Sequence, residues 1–188
     1  MTGFITKLLY LLKIRRKELR KRPLNQDEEA LARQVFHEQL PYGKIHIANF
    51  FLPGNEGVPV TVASGTELIP IKSLTEYTIY FGPEVFCEGA DTPQTRETFI
   101  HELTHVWQGH HSTFSWRYMM NSLLAQGRAV VFHGDRNKAY DFTAGQAWED
   151  YNVEQQANIV ESWFARGMQS DSELYAYITE NIRAGHSG

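Results

Sequence analysis

The segment that decides the fold reads Thr98-Phe99-Ile100-His101-Glu102-Leu103-Thr104-His105-Val106-Trp107-Gln108. On an α-helix, residues four apart lie one turn above each other on the same face, so His101 and His105 can reach one metal ion. Neutral imidazoles suit zinc, and the spacing H-E-x-x-H is typical of zinc sites in which the glutamate is a general base. The segment therefore predicts a metal site with His101 and His105 as ligands and Glu102 as the candidate base.

The residues around this segment favour a helix. Asp91 and Thr92 can cap its start, and Pro93 suits the first helical position, where a missing N–H costs nothing. Gly109 is expected to end it. The apolar side chains form one stripe: Ile100, Leu103, Val106 and Trp107. Burial of that stripe leaves the histidines facing a cleft; the alternative is an ordinary amphipathic helix with two surface histidines.

The composition is that of a globular protein. A chain of 188 residues with 42% hydrophobic, 13% aromatic and 21% charged residues is long enough for one domain with a substantial core. No apolar run approaches the roughly 20 residues that span a bilayer. Cys87 is the single cysteine, which excludes an intrachain disulfide and leaves a zinc ion to histidine and carboxylate ligands.

Charge is unevenly distributed along the chain. Residues 1–22 hold eight of the 18 Lys and Arg residues and one of the 22 acidic residues, so a basic segment precedes an acidic remainder. We expect residues 1–24 to form a basic amphipathic N-terminal helix and residues 25–188 a separate domain. The helix either packs its leucines on the domain or a neighbouring chain, or contacts a membrane surface or secretion machinery through residues 1–22.

The same segment bears on localisation and on nucleic acid. Its apolar residues precede its basic ones, which is the reverse of a secretory signal peptide, so we expect a chain that is cytoplasmic as synthesised. The net charge is −4 and the basic residues are confined to one terminus, so nucleic acid is not an expected partner.

The rest of the chain predicts an α+β fold. A helix is expected over residues 26–40, and period-two patterns predict strands around residues 45–49, 58–62 and 76–81. A loop over residues 82–90 precedes the metal-site helix. An aromatic-rich helix is expected around residues 116–123, a long helix over residues 147–166 and a short one near residues 172–182. The prediction is therefore a small, mostly antiparallel sheet, then the H-E-x-x-H helix, then a helical half.

Two motifs carry a resemblance to a known class. The pair HELTHVWQ and NVEQQANIVESWF, starting at His101 and Asn152, resembles zincin metallopeptidases of the gluzincin type. It is also similar to small bacterial metallopeptidase-like domains encoded near Vgr and Rhs proteins of contractile secretion systems. The resemblance covers about residues 76–166. It implies a zincin-like fold, a Zn²⁺ cofactor held by His101, His105 and Glu154, and Asn158 as the partner of a metal histidine.

The implied activity is hydrolysis of a peptide or protein substrate by metal-activated water, with Glu102 as general base. Tyr140, His133 and Tyr175 are candidates for the group that donates to the oxyanion. The strand over residues 76–81 either forms the rim of the cleft and pairs with an extended peptide or lies in the sheet interior. The resemblance also implies export by a contractile secretion system.

Alternatives remain open at two points. The third ligand could be His111, which lies six residues after His105, as the last histidine of the metzincin pattern does. Gln108 stands where that pattern has a glycine at the turn. Glu161 is a further alternative to Glu154 as the third ligand. The protein could also be a non-catalytic zinc-binding scaffold, or a secretion-system-associated binding protein docked through its basic N-terminal helix.

Overall fold

A four-stranded sheet and several helices make up the residues that the computed structural model describes, which are 19–52, 57–64, 75–112 and 141–187. The strands are β1 (Lys21–Pro23), β2 (Ile45–Ala48), β3 (Val60–Ser64) and β4 (Glu76–Tyr80). The α-helices are α1 (Gln26–Phe36), α2 (Pro83–Glu88), α3 (Pro93–His111) and α4 (Val153–Ala165). Shorter segments are the 3-10 turns Tyr42–Lys44 and Trp148–Asp150, the helical turn Tyr175–Tyr177 and the π-helical segment Ile178–Ile182. The predicted α+β class is confirmed.

The sheet is mixed, with the strand order β1-β2-β4-β3. β2 and β4 run parallel, and the two outer pairings are antiparallel. β4 lies between β2 and β3, so of the two alternatives for this strand the sheet interior is confirmed, and the cleft rim that pairs with a peptide is wrong. Its consecutive residues Tyr77, Thr78 and Ile79 are all buried, as in a strand covered on both faces. In the described sheet, the edge strand beside β4 is β3.

Helix α3 is the buried centre of the described fold. Every residue from 99 to 109 is buried, and the helix packs along α4 and against β3. Thr92 caps it by accepting from the backbone N–H of Thr95, and Pro93 occupies its first turn, as predicted. The expected end at Gly109 is wrong, since the helix runs on to His111. Burial outweighs the propensity cost of a helical glycine, which is only about 1 kcal/mol.

Other helix boundaries also differ from the predictions. α1 ends at Phe36 and not near residue 40, because His37 adopts a positive φ of 51°. The helix expected over residues 147–166 is divided: a 3-10 turn covers Trp148–Asp150, and α4 begins after Asn152, whose side chain accepts from the N–H groups of Glu154 and Gln155. α2 lies in the segment that was expected to be a loop.

The N-terminal basic segment is described only from residue 19. Lys21 and Arg22 form part of β1, which pairs with β2, so the basic helix expected over residues 1–24 does not include these residues. The predicted helix over residues 1–18 and the aromatic-rich helix around residues 116–123 lie outside the described residues, and the division at residue 24 stays a prediction. Within the described ranges, the helices are all too short or too polar to cross a membrane.

An ion pair with a buried carboxylate joins β1 to two helices. Nη1 and Nη2 of Arg22 lie 2.7 and 2.8 Å from the two carboxylate oxygens of Glu28, whose residue is 2% exposed. The guanidinium also donates to the backbone carbonyls of Val85 and Phe86 in α2. Glu28 in turn accepts from the backbone N–H of Asn25 and completes the cap of α1. The pair therefore holds the start of the described chain on the domain.

We expect Arg22→Ala to lower the free energy of unfolding by about 3 kcal/mol, because it leaves the Glu28 carboxylate buried without its guanidinium. Urea denaturation followed by circular dichroism measures this. Arg33→Ala is the matched control: Arg33 pairs with Glu29 and Glu38 at the surface, where ion pairs contribute little. Equal effects of the two substitutions would contradict the role given to Arg22.

Candidate metal centre

Three side chains from two packed helices converge on one point. His101 and His105 come from consecutive turns of α3, and Glu154 comes from the first turn of α4. Oε2 of Glu154 lies 3.4 Å from Nε2 of His101 and 3.4 Å from Nε2 of His105. The candidate ligand atoms of the three residues all lie within 4.8 Å of one another. This cluster is a candidate metal site, and it contains the three residues predicted as ligands.

The spacing of these atoms fits a tetrahedral ion. Ligand atoms at about 2.0 to 2.1 Å from zinc, separated by a tetrahedral angle, lie about 3.3 Å apart. Both measured distances from Oε2 of Glu154 to the imidazole nitrogens are 3.4 Å. Two imidazole nitrogens and one carboxylate oxygen are also a donor set that zinc accepts in catalytic sites. The residues present therefore fit the ion that the sequence predicts.

The cluster is buried and rich in negative charge. His101 and His105 are each 8% exposed and Glu154 is 1% exposed. Burial lowers the pKa of His101, but hydrogen bonds to Glu154 and Glu161 outweigh it and raise the pKa to about 10. For His105, burial is likewise outweighed by the charge of Glu154, and its pKa is raised. Carboxylates that favour a positive charge on the rings also favour a divalent cation, whose binding to imidazole nitrogens releases any protons held there.

The second nitrogen of His101 faces another carboxylate. Its Nδ1 lies 2.8 Å from Oε2 of Glu161, which stands two turns after Glu154 on α4. Glu154 thus lies at the Nε2 side of the ring and Glu161 at the Nδ1 side, so the two carboxylates contact different nitrogens of His101. Carboxylates in the position of Glu161 orient a metal-binding histidine and raise its basicity. Asn158, predicted for that role, is half-buried one turn after Glu154.

The second nitrogen of His105 faces an amide. Its Nδ1 lies 3.0 Å from Oε1 of Gln108, and the amide nitrogen of Gln108 lies 2.7 Å from Oε1 of Gln156 on α4. Sequence reasoning considered Gln108 only as a departure from the metzincin glycine and did not consider Gln156. The spacing of three between His105 and Gln108 was the available signal, because residues three apart on a helix are neighbours.

A residue of the sheet contacts the side chain of Glu102, the candidate base. Glu102 is 5% exposed, and Oγ1 of Thr61 in β3 donates to its Oε2 over 2.6 Å and also to its backbone carbonyl over 3.2 Å. The charge of Glu102 is a smaller contribution to the raised pKa of both His101 and His105, after burial and the contacts with Glu154. Sequence reasoning missed Thr61, since nothing local indicates which strand residue faces α3.

The structure does not bring His111 to the cluster. α3 continues through Gly109, so His105 and His111 lie six residues apart on one helix. Six residues correspond to a rotation of about 240° about the helix axis, which places His111 on another side of α3. There, its Nε2 bonds to the carbonyl of Gln39 at 2.9 Å, and its ring packs on Trp107. The metzincin arrangement is therefore wrong for this chain.

The candidate oxyanion donors are only partly described. His133 and Tyr140 lie outside the described residues, so both stay predictions. Tyr175 is described, and its ring stacks on Trp163 with centroids 5.9 Å apart. Its hydroxyl accepts from Nη1 of Arg183 at 3.5 Å. These contacts indicate that Tyr175 stabilises the packing of the C-terminal segment.

Comparison with known proteins identifies a relative. The chain is 28% identical over 172 residues to the type VI secretion system spike protein VgrG2b of Pseudomonas aeruginosa strain PAO1. The alignment covers 88% of this chain, and the chain spans 15% of the length of that protein. A solved structure of the effector domain of Pseudomonas aeruginosa VgrG2b matches with a TM-score of 0.57 and 26% identity, covering 85% of this chain and 80% of that one. The chain is homologous to the VgrG2b effector domain.

No family model matches the chain. The relationship to VgrG2b confirms the part of the sequence prediction that concerned Vgr proteins of secretion systems. Since the effector domain of VgrG2b is matched over most of its length, the homology applies to the domain that contains the candidate metal centre. What VgrG2b does as a whole protein does not follow from a match to 15% of its length.

Proposed function

We propose that this protein is a zinc metallopeptidase that acts as an effector of a secretion system. The observation that carries the proposal is the convergence of three buried candidate ligand atoms, with Oε2 of Glu154 3.4 Å from Nε2 of each histidine and all three atoms within 4.8 Å of one another. A structural zinc site is usually closed by four protein ligands, whereas three ligands leave a position for a reacting molecule. The presence of a buried carboxylate at Glu102, beside the ligands, supports a catalytic site of the gluzincin type.

The residues of the chain have distinct roles in this proposal. A bound zinc ion would polarise a peptide carbonyl and lower the pKa of water. Glu102 accepts a proton from the attacking water on its carboxylate and returns that proton to the leaving amine. Thr61 holds one oxygen of Glu102, which restricts the rotation of the base. Glu161 and Gln108 hold the Nδ1 atoms of the two histidines, so that both Nε2 atoms face Glu154.

The proposed partner and route follow from the homology. VgrG2b is described as a spike protein of a type VI secretion system and its matched part as an effector domain. We therefore propose that this chain is made in the cytoplasm and exported in association with such a spike, and that its substrate is a peptide or protein. The basic residues of segment 1–22 are the proposed contact with the secretion machinery or a membrane surface, except for Arg22, whose guanidinium is bound by Glu28.

The experiment that tests the activity is metal removal and restoration. We expect the purified protein to contain zinc by elemental analysis and to hydrolyse fluorescently labelled casein. Treatment with 1,10-phenanthroline followed by dialysis should abolish hydrolysis, and one equivalent of Zn²⁺ should restore it, whereas Mg²⁺ should not, because hard oxygen ligands suit magnesium and imidazoles do not.

Two outcomes would contradict the proposal. Hydrolysis that persists unchanged after zinc is removed would exclude a metallopeptidase mechanism. A fully zinc-loaded protein that hydrolyses neither casein nor a mixed peptide library would favour the alternative of a non-catalytic zinc-binding scaffold.

A further inference from the structure

A chain of buried amides connects His105 to the opposite helix. Oε1 of Gln108 lies 3.0 Å from Nδ1 of His105. Nε2 of Gln108 donates to Oε1 of Gln156 over 2.7 Å, and Nε2 of Gln156 donates to the backbone carbonyl of Trp148 over 3.0 Å. Gln108 is 2% exposed and Gln156 is 7% exposed, so these bonds are shielded from water. Shielded hydrogen bonds are stronger, and bonds in a chain polarise one another.

The direction of every bond in this chain is set by backbone carbonyls. A backbone carbonyl only accepts, so the group of Gln156 that faces Trp148 must be its NH₂ group. Gln156 therefore presents its amide oxygen to Gln108. The NH₂ group of Gln108 also donates to the backbone carbonyl of Val153 over 3.0 Å. This contact does not involve Gln156, and it requires the same orientation of the Gln108 amide. Gln108 must then present its oxygen to His105.

An amide oxygen facing Nδ1 selects one tautomer of the ring. Because Oε1 of Gln108 can only accept, Nδ1 of the neutral His105 carries the proton and Nε2 keeps its lone pair. Nε2 is the atom that lies 3.4 Å from Glu154, at the candidate metal position. The two backbone carbonyls that set this direction, of Trp148 and Val153, belong to the segment that carries Glu154. The same contacts therefore align His105 with the third ligand across the two helices.

We infer that Gln108 and Gln156 form a relay that positions His105 for metal binding by fixing its tautomer and its alignment with Glu154. This inference rests on the proposed metal site but not on peptide hydrolysis. It also gives a function to the residue at which the sequence departs from the metzincin pattern. The two histidines are then held differently: His101 by the carboxylate of Glu161, which is 27% exposed, and His105 by neutral, buried amides.

The relay predicts a specific pattern of zinc affinities. Gln108→Met keeps the length of the side chain but removes the acceptor, and it should weaken zinc binding about 10- to 100-fold, as loss of a partner of a metal-binding histidine does. Gln156→Met should weaken it as well, because Gln156 orients Gln108. In the double variant, Gln156→Met should add nothing to the effect of Gln108→Met, since residues that act through one another are not additive. Competition with a chromophoric chelator measures the affinities.

A matched control separates this role from packing. Thr104 is the neighbour of His105 on α3, is fully buried, and donates its hydroxyl to the carbonyl of Ile100 in its own helix. Thr104→Val should therefore leave zinc affinity unchanged. A second readout is the visible spectrum of the Co²⁺-loaded protein, which reports ligand geometry: it should change in Gln108→Met and not in Thr104→Val. Should Gln108→Met not fold, Gln156→Met tests the same relay.

The outcomes distinguish the relay from the proposed activity. Zinc affinity and Co²⁺ spectra that are unchanged in Gln108→Met and Gln156→Met would overturn the relay and leave the metal site standing. Additive losses in the double variant would also overturn it, because independent packing effects add. Zinc binding with the predicted pattern, in a protein that hydrolyses no peptide, would support the relay and overturn the peptidase. An unaltered protein that binds no zinc would overturn both.

Discussion

Replacement of Glu102 by glutamine is expected to leave zinc binding intact and to lower peptide hydrolysis by about 10²- to 10⁴-fold, the usual contribution of a general base. The amide has the shape of the carboxylate, and its oxygen can still accept the hydrogen bond that Oγ1 of Thr61 donates over 2.6 Å. The side chain therefore keeps its position but can no longer take up a proton. The loss should fall on kcat and not on KM, because a proton transfer occurs only in the chemical step.

The measurement is steady-state hydrolysis of labelled casein by zinc-loaded protein, with zinc content determined on the same samples. Glu97→Gln is the matched control, since Glu97 is a half-exposed glutamate on the same helix, one turn before His101. It should retain full activity. A Glu102→Gln variant that is zinc-loaded and fully active would refute the assignment of the base. Loss of zinc together with activity would instead indicate that Glu102 acts on metal binding.

The features of the site that depend on one helix could be predicted from the sequence. The H-E-x-x-H spacing places His101 and His105 on one face, and Thr92 and Pro93 mark the start of α3, because capping and helical periodicity are local properties. The pairing of this helix with Glu154 could be predicted only through the resemblance of the second motif. The structure brings Glu154 to both histidines, as that resemblance implied.

The features that depend on contacts between elements could not be predicted. Gly109 has a low helix propensity, yet the buried α3 continues past it, since tertiary packing overrides propensity. β4 has the alternation of a half-exposed strand, but its consecutive residues Tyr77, Thr78 and Ile79 are all buried, so both of its faces are covered in the fold. Thr61 and Gln156 contact Glu102 and Gln108 from other elements, and no spacing along the chain relates them. For the same reason, Glu161 could not be excluded as the third ligand from sequence spacing alone.

The two glutamates on α4 can be separated by experiment. Glu161→Ala removes the partner of Nδ1 of His101 and should weaken zinc binding about 10- to 100-fold. Glu154→Ala should weaken it further than this, because it removes one of the three proposed ligands, the 1%-exposed carboxylate that lies 3.4 Å from both Nε2 atoms. His111→Ala should leave zinc affinity unchanged, because the ring of His111 contacts Gln39 and Trp107 on another side of α3. Chelator competition ranks the three variants.

The ranking decides between the three possible third ligands, because each one predicts a different variant as the most damaging.

Glu154→Gln is a second test of the same position. It keeps the volume of the side chain, so the buried site does not collapse, but a neutral amide is a poor zinc ligand. Glu154 also raises the pKa of both histidines, through a hydrogen bond at His101 and through its charge at His105, so in the ion-free Glu154→Gln protein the pKa of His101 should fall below about 10. This fall can be followed by NMR titration. If Glu161→Ala, and not Glu154→Ala, proved the more damaging change, the ion would lie on the Nδ1 side of His101, and the geometry proposed here would be wrong.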